Sequence, residues 1–152
     1  MSGFPYAIGQ ALPHERPMIL LDEVLACDGD ALDAAVTIHP DRPFFRAEGM
    51  PAHVAIEYMA QACGAFIGVE ALRAGGRPRV GLLLGTRNFT AVRRWFRDGE
   101  RLLVRVEVVY RTEEMGVFDC RVAGDDGAET LASARLTVYQ PASESDLETV
   151  HE

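Results

Sequence analysis

A stretch of about 23 residues that follows Pro51 is the feature that most constrains the fold of this chain. The stretch, AHVAIEYMAQACGAFIGVEALRA, contains no proline, and a proline at its start is compatible with the first turn of a helix. A helix on the outer face of a sheet has one apolar stripe and a charged back. Here apolar residues go all the way round for about four turns, and charges resume only at Glu70 and Arg73. We therefore expect a helix that is wrapped by protein.

Segments typical of β-strands lie on both sides of this helix. Before it, Met18 to Ala26 and Leu32 to Ile38 flank the turn Asp28-Gly29-Asp30 and predict a hairpin. After it, four segments with β-branched or alternating apolar residues predict a four-stranded meander: 79–89, 101–111, 116–123 and 130–139. The order predicts an α+β fold in which one antiparallel sheet covers one long helix. A single curved sheet around an apolar helix is the hot-dog architecture, and because such sheets usually pair edge to edge, we expect at least a dimer.

The length of 152 residues is that of one domain of ordinary size. We expect a single domain over 1–152, with a core over about 11–140 and an acidic, flexible tail over 141–152. The net charge of −8 argues against nucleic acid as a partner. The N-terminus has no basic segment before an apolar one, and no apolar run is long enough to span a bilayer, so we expect a cytoplasmic protein. The three cysteines and four histidines lack paired spacing, which predicts free thiols and no metal site.

One strip of the helix differs from its apolar surroundings. His53, Glu57, Gln61, Gly64 and Gly68 are spaced so that they lie on one face. An apolar setting raises the pKa of a carboxyl group, which suits a general acid. Each residue has a second interpretation: Glu57 as the partner of an arginine across an interface, His53 as a surface group, and Gln61 as a support for its neighbour rather than a substrate ligand. The two glycines are expected to be packing contacts.

Several motifs resemble the bacterial 3-hydroxyacyl-[acyl-carrier-protein] dehydratases of the FabZ type. The stretch LPHERPMILLDEV, residues 12–24, resembles their LPHR-x-P-x-L-L-x-D-R-V opening, and residues 57–61, EYMAQ, match their E-x-M-A-Q helix signature. Residues 81–89, followed by DGERL at 98–102, resemble their strand and G-D-x-L turn. The similarity covers about residues 11–140. The Met-Pro-Ala lead at 50–52 is closer to the ApeP-like dehydratases of aryl polyene pigment clusters.

The resemblance implies dehydration of 3-hydroxyacyl thioesters on acyl carrier protein to trans-2-enoyl thioesters, in fatty-acid or aryl-polyene synthesis. It calls for no metal and no organic cofactor. The family pattern places Gly-His-Phe-Pro-Gly between a Phe-Phe pair and the helix; its histidine is the base, and the helix glutamate of the other subunit is its partner. Here Phe44-Phe45 is followed only by RAEGM before Pro51, about five residues fewer, and that histidine is absent. The glutamate carries over as Glu57.

The working assignment makes Glu57 the carboxyl acid and either His53 or His14 the imidazole base. Backbone amides at the start of the helix are expected to polarise the thioester carbonyl. The expected substrate-binding residues are Gln61, Pro51, Ala52 and Val54.

An acidic carrier protein must find a basic surface on this acidic chain. Arg93, Arg94 and Arg97 form the densest positive group in the sequence, and Arg77 with Arg79 forms a second. We expect the first group to dock the carrier protein. The alternative is that these arginines are solvated or pair with the carboxylates of the chain.

Two other functions remain open at this stage. A hot-dog thioesterase would use the carboxylate to activate water. A non-catalytic subunit would stabilise a true dehydratase in a heterodimer, and the missing histidine favours this interpretation. The expected assemblies are therefore a homodimer or a heterodimer with another hot-dog subunit, with a higher oligomer as an option.

Overall fold

The computed structural model describes residues 6–7, 19–76 and 82–139. The strands are β1 (Tyr6–Ala7), β2 (Glu23–Asp28), β3 (Ala31–Thr37), β4 (Met50–Pro51), β5 (Leu82–Ala91), β6 (Trp95–Phe96), β7 (Arg101–Arg111), β8 (Met115–Gly124) and β9 (Thr130–Tyr139). A 3₁₀ turn, Ala52–Val54, leads directly into the helix α1, Ala55–Arg73. His14, Arg77, Arg79 and the tail 141–152 lie outside the described residues.

In the part of the chain that the structure describes, one large antiparallel sheet and one long helix form the main layers of the fold, as predicted. Seven strands form the sheet in the order β1-β2-β3-β7-β8-β9-β5, and β4 pairs with β6 in a separate two-stranded ribbon. The helix packs against the sheet through apolar side chains from both elements. Turn and helix together span residues 52–73, close to the predicted 52–74.

The predicted four-stranded meander is wrong, because β5 does not lie beside β7. Of the four strands after the helix in that prediction, only β7, β8 and β9 follow one another across the sheet, while β5 pairs with β9 at the far edge. From β5 the chain passes the start of the helix, where β6 pairs with β4 and the Ala52 amide donates to the Arg94 carbonyl oxygen at 2.8 Å. It then enters β7, next to β3. The segment between β5 and β7 is thus held in position by its contacts with the start of the helix.

The first predicted strand begins later than expected. Residues 19–22 are not part of a strand, and β2 begins at Glu23. The amides of Leu20 and Leu21 donate to the side-chain oxygen of Gln61 on the helix instead of to a neighbouring strand. The segment before β2 is therefore attached to the helix.

The core is filled by large side chains from the helix, the sheet and the ribbon. Tyr58, Phe66, Phe96 and Phe118 are all fully buried, and the Phe66 and Phe118 rings make an edge contact at 5.7 Å. The three cysteines are free and buried, as expected. Within the described part of the chain, no helix has the length and apolarity to cross a membrane. Across the same ranges, no three potential metal ligands cluster.

Candidate active site

The start of the helix is held in place by the ribbon of β4 and β6. Met50 is paired with Phe96 and Pro51 with Trp95. Gly49 has φ +130°, and a Cβ atom there would lie 2.5 Å from the Phe96 carbonyl oxygen. Only glycine fits this approach without movement of the backbone. The ribbon therefore fixes the position at which the helix begins.

Backbone donors at the helix start are partly occupied. No side chain caps either the 3₁₀ turn or the helix. Pro51 has no amide hydrogen, and the Ala52 amide is bonded to Arg94, so neither residue can offer its amide to a thioester carbonyl, contrary to the expected role. The amides of His53 and Val54 belong to the first turn, whose donors lack intrahelical partners. The amides of His53 and Val54 therefore remain as candidate donors.

The described residues of a single chain leave the wrapping of the helix incomplete. One strip of α1 and its leading turn is exposed or half-buried, and we call it the open strip: His53, Ile56, Glu57, Ala60 and Gly64. Among these, the His53 and Glu57 side chains are exposed. The remaining faces of the helix are buried down to Val69. The strip therefore presents one carboxylate and one imidazole at the surface of an otherwise covered helix.

Gln61 and Gly68 do not belong to this strip, although the sequence predicts one shared face. Both are buried. The Gln61 Oε1 atom accepts the Leu20 amide at 2.8 Å and the Leu21 amide at 3.3 Å. These bonds favour the structural interpretation of Gln61, as the anchor of residues 19–22 on the helix one turn after Glu57.

The three arginines predicted to dock a carrier protein differ in their surroundings. Arg93 is paired with Glu100 through both of its terminal nitrogens, one of them at 3.0 Å, and stacks over the Phe96 ring. Partial burial would raise the pKa of Glu100, but hydrogen bonds from Arg93 and from the Arg97 amide hold it below its ordinary value. The side chains of Arg94 and Arg97 are exposed. The alternative of carboxylate pairing therefore holds for Arg93, and two exposed cations remain beside the helix start.

The loop between β3 and β4 replaces the segment that carries the base in the family pattern. Its end forms a tight turn, in which Arg46 and Gly49 exchange both backbone hydrogen bonds, at 2.9 and 3.0 Å. Its only histidine is His39, which precedes the Phe-Phe pair and is exposed. Phe44 has φ +73° and an exposed ring. No histidine of this loop therefore takes the position, after the Phe-Phe pair, of the histidine in the family pattern.

An ion pair that the sequence analysis did not single out holds the base of this loop. The Asp22 Oδ1 atom accepts Arg42 Nη2 at 2.5 Å, and Oδ2 accepts the Thr37 amide at 2.7 Å. The ion pair acts on the nearby Tyr58 hydroxyl. The pKa of Tyr58 is raised, mainly by burial; the charge of Arg42 opposes this rise and the charge of Asp22 adds to it. No local signal links Asp22 to Arg42, since 20 residues separate them in sequence.

Comparison with known proteins identifies the family. The family model of ApeP-like proteins, described as ApeP dehydratase, matches residues 6–151. The chain belongs to the ApeP-like dehydratase family. This ApeP-like chain is also 30% identical to the 3-hydroxyacyl-[acyl-carrier-protein] dehydratase FabZ of Brucella ovis over 141 residues, which cover 87% of each protein. The predicted FabZ-like and ApeP-like resemblance is confirmed.

Solved structures confirm the hot-dog fold. The ApeP-like chain is similar to a chain of the dehydratase heterocomplex ApeI:P from Xenorhabdus doucetiae, with a TM-score of 0.87, 27% identity, and coverage of 97% of this chain and 98% of that one. A Streptococcus mutans protein bound to acetyl CoA has a TM-score of 0.63 at 13% identity, covering 84% and 94%, and shares the fold. The likeness to the ApeI:P heterocomplex supports an assembly with another hot-dog subunit.

One edge of the sheet is available for such an assembly. β5 pairs with β9 on one side and, among the described strands, has no neighbour on the other. Leu83 and Leu84 on this strand are 39% and 58% exposed. An exposed edge with apolar side chains is a ready template for pairing with another strand. The described ApeP-like chain therefore has both an uncovered helix strip and an unpaired sheet edge.

Proposed function

We propose that this ApeP-like chain is one subunit of a hot-dog dehydratase that removes water from 3-hydroxyacyl thioesters carried on acyl carrier protein. Glu57 supplies the carboxyl acid of a composite site, and a second hot-dog subunit supplies the imidazole base. The observation that carries the proposal is an exposed Glu57 in a chain whose shortened loop lacks the family histidine. The reaction belongs to cytoplasmic fatty-acid or aryl-polyene synthesis.

The chemistry needs one base, one acid and a polarised carbonyl. The base removes the C2 proton, the C3–O bond breaks, and the carboxyl group of Glu57, as the acid of the step, gives a proton to the departing hydroxyl, which leaves as water. Negative charge that develops on the thioester oxygen is stabilised by backbone amides. The uncapped helix start offers the amides of His53 and Val54 for this purpose.

The packing of the core supports a site between two subunits. Buried aromatic side chains lie in the described space between helix and sheet. The open strip offers an acyl chain a path at the surface, because Ala60 and Gly64, about one and two turns after Glu57, take up little space there. A second subunit that covers this strip would close a tunnel over the acyl chain. The likeness to the ApeI:P heterocomplex supports a second hot-dog chain as the partner.

The main test compares the chain alone with the chain co-expressed with a dehydratase encoded nearby. We expect the pair to convert a 3-hydroxyacyl carrier-protein substrate to the enoyl product. Glu57→Gln should lower turnover of the pair by about 10²-fold or more, the scale of a lost general acid. The matched control is Glu70→Gln on the same helix, since Glu70 pairs with Arg111 away from the open strip. Full activity of the Glu57 variant would refute the proposed role.

The source of the base is tested separately. If the base comes from the second subunit, His53→Ala and His14→Ala should each leave most of the activity of the pair. Strong activity of this chain alone, abolished by one of these two substitutions, would place the base in this chain and show a homodimeric enzyme. Release of free thiol without enoyl product would instead show a thioesterase.

Docking of the carrier protein is proposed for the exposed Arg94 and Arg97. Complementary charge raises association rates and is screened within about 8 Å at physiological ionic strength. Reversal of both to glutamate should lower kcat/KM for carrier-bound substrate, in a salt-dependent way, and leave a small pantetheine thioester nearly unaffected. Arg135→Glu, on the outer face of the sheet, controls for net charge. An equal loss on both substrates would place the two arginines in folding or chemistry.

A further inference from the structure

Asp22 joins two parts of the chain that are distant in sequence. Its carboxylate accepts the Thr37 amide at the end of β3 and the Arg42 guanidinium in the following loop. Arg42 also donates from Nη1 to the Ile19 carbonyl oxygen at 3.5 Å. Arg42 therefore contacts both ends of residues 19–22, and the carboxylate fixes this segment against the base of the loop.

The same segment is attached to the helix from its other side. The amides of Leu20 and Leu21 both donate to Gln61 Oε1, and these bonds are buried. Gln61 lies one helical turn after Glu57. A continuous chain of polar contacts thus runs from Arg42 through Asp22 and residues 19–21 to Gln61.

The two side chains that start this chain of contacts are half-buried. The side chains of Arg42 and Asp22 are 20% and 30% exposed. The Tyr58 side chain, next to Glu57 in sequence, is 1% exposed, and Asp22 and Arg42 are the charged groups that act on its hydroxyl. The ion pair therefore lies near the buried Tyr58, the residue that follows Glu57 on the helix.

We infer that Arg42 is a positioning residue for Glu57, acting through Asp22 and Gln61. The inference rests on the proposed function, in which Glu57 is the acid. In this inference, the contact of Gln61 with residues 20 and 21, together with the buried face of the helix, holds the rotation of the helix about its axis. With a side-chain radius of about 5–6 Å, a rotation of about 10° moves the Glu57 carboxyl group by about 1 Å. A displacement of about 1 Å at a reacting group can cost 10²-fold in rate.

The test is Arg42→Ala in the assembled complex. We expect kcat to fall by about tenfold or more and KM to stay within about twofold, because the chemical step is misaligned while the acyl-binding strip is intact. Arg42→Lys should recover most of the lost kcat, because its ammonium group can still pair with Asp22. The recovery should be incomplete, because lysine lacks the second nitrogen that donates to the Ile19 carbonyl oxygen. If the alanine variant fails to fold, Asp22→Asn provides the second measurement, because its amide can still accept the Thr37 N–H bond.

The control removes a more exposed ion pair away from the helix. Arg135 makes two bonds to Asp119, at 2.8 and 3.1 Å, on the outer face of the sheet, and Arg135→Ala should leave kcat unchanged. Unchanged kcat in Arg42→Ala, with Glu57→Gln inactive, would overturn the inference and leave the proposed function standing. Equal losses in the lysine and alanine variants, or a rise in KM as large as the fall in kcat, would also overturn it. An active Glu57→Gln complex would overturn both proposals.

Discussion

Replacement of Gln61 by methionine removes the acceptor of two buried backbone amides while nearly conserving side-chain volume. Leu20 is 5% exposed and Leu21 is fully buried, so neither amide can turn to water. A buried donor without a partner costs about 1–3 kcal/mol. The bond from Leu20 is 2.8 Å long and the bond from Leu21 is 3.3 Å. Loss of the first bond should therefore carry the full free-energy penalty of an unpaired buried amide, and loss of the second only part of it. The expected loss is about 2–3 kcal/mol in the free energy of unfolding.

Thermal unfolding measures this loss directly. For a chain of this length, each kcal/mol lowers Tm by about 2–4 °C, so Gln61→Met should melt roughly 5–10 °C below the unsubstituted protein. Leu72→Met on the same helix is the control, because Leu72 is half-buried and the change removes no polar partner. A Tm within about 2 °C of the unsubstituted protein would refute the reasoning. It would mean that the two amides find other acceptors and that Gln61 does not anchor residues 19–22.

Three further changes test other parts of the structure. Gly49→Ala should lower the free energy of unfolding by about 2 kcal/mol or more, because its Cβ would meet the Phe96 carbonyl oxygen and its φ is positive. Gly76→Ala is the control, since a Cβ atom there makes only an ordinary contact, and chemical denaturation compares the two variants. The lowered pKa of Glu100 contributes stability that is present above its unfolded-state pKa and is lost as pH falls, so Glu100→Gln should flatten the decline of Tm with acid below about pH 5. The three buried cysteines should resist a thiol reagent in the native protein and react after denaturation, and rapid native labelling would contradict their burial.

Much of the fold follows from patterns that are local in sequence. The long apolar segment after Pro51 predicts a helix over 52–74, and the turn and helix occupy 52–73. Alternating apolar residues and turn signals predict the six long strands, with boundaries within a few residues for most of them. The family motif around Glu57 likewise identifies the dehydratase family. These features are readable because a helix, a strand or a short motif depends on neighbours along the chain.

The arrangement of these elements, and the site itself, depends on contacts between distant residues. The pattern of β5 is that of any strand, and its place at the far edge results from the path past the helix start. Helical spacing puts Glu57 and Gln61 on one face, yet the sheet and residues 19–22 bury Gln61 and leave Glu57 exposed. A charge count groups Arg93 with Arg94, but Glu100 neutralises only the first. The sequence alone therefore determined the helix, the strands and the family, because those depend on local periodicity and motif. Only the tertiary structure decided which polar groups are paired, buried or free to act, because their partners are brought together by folding.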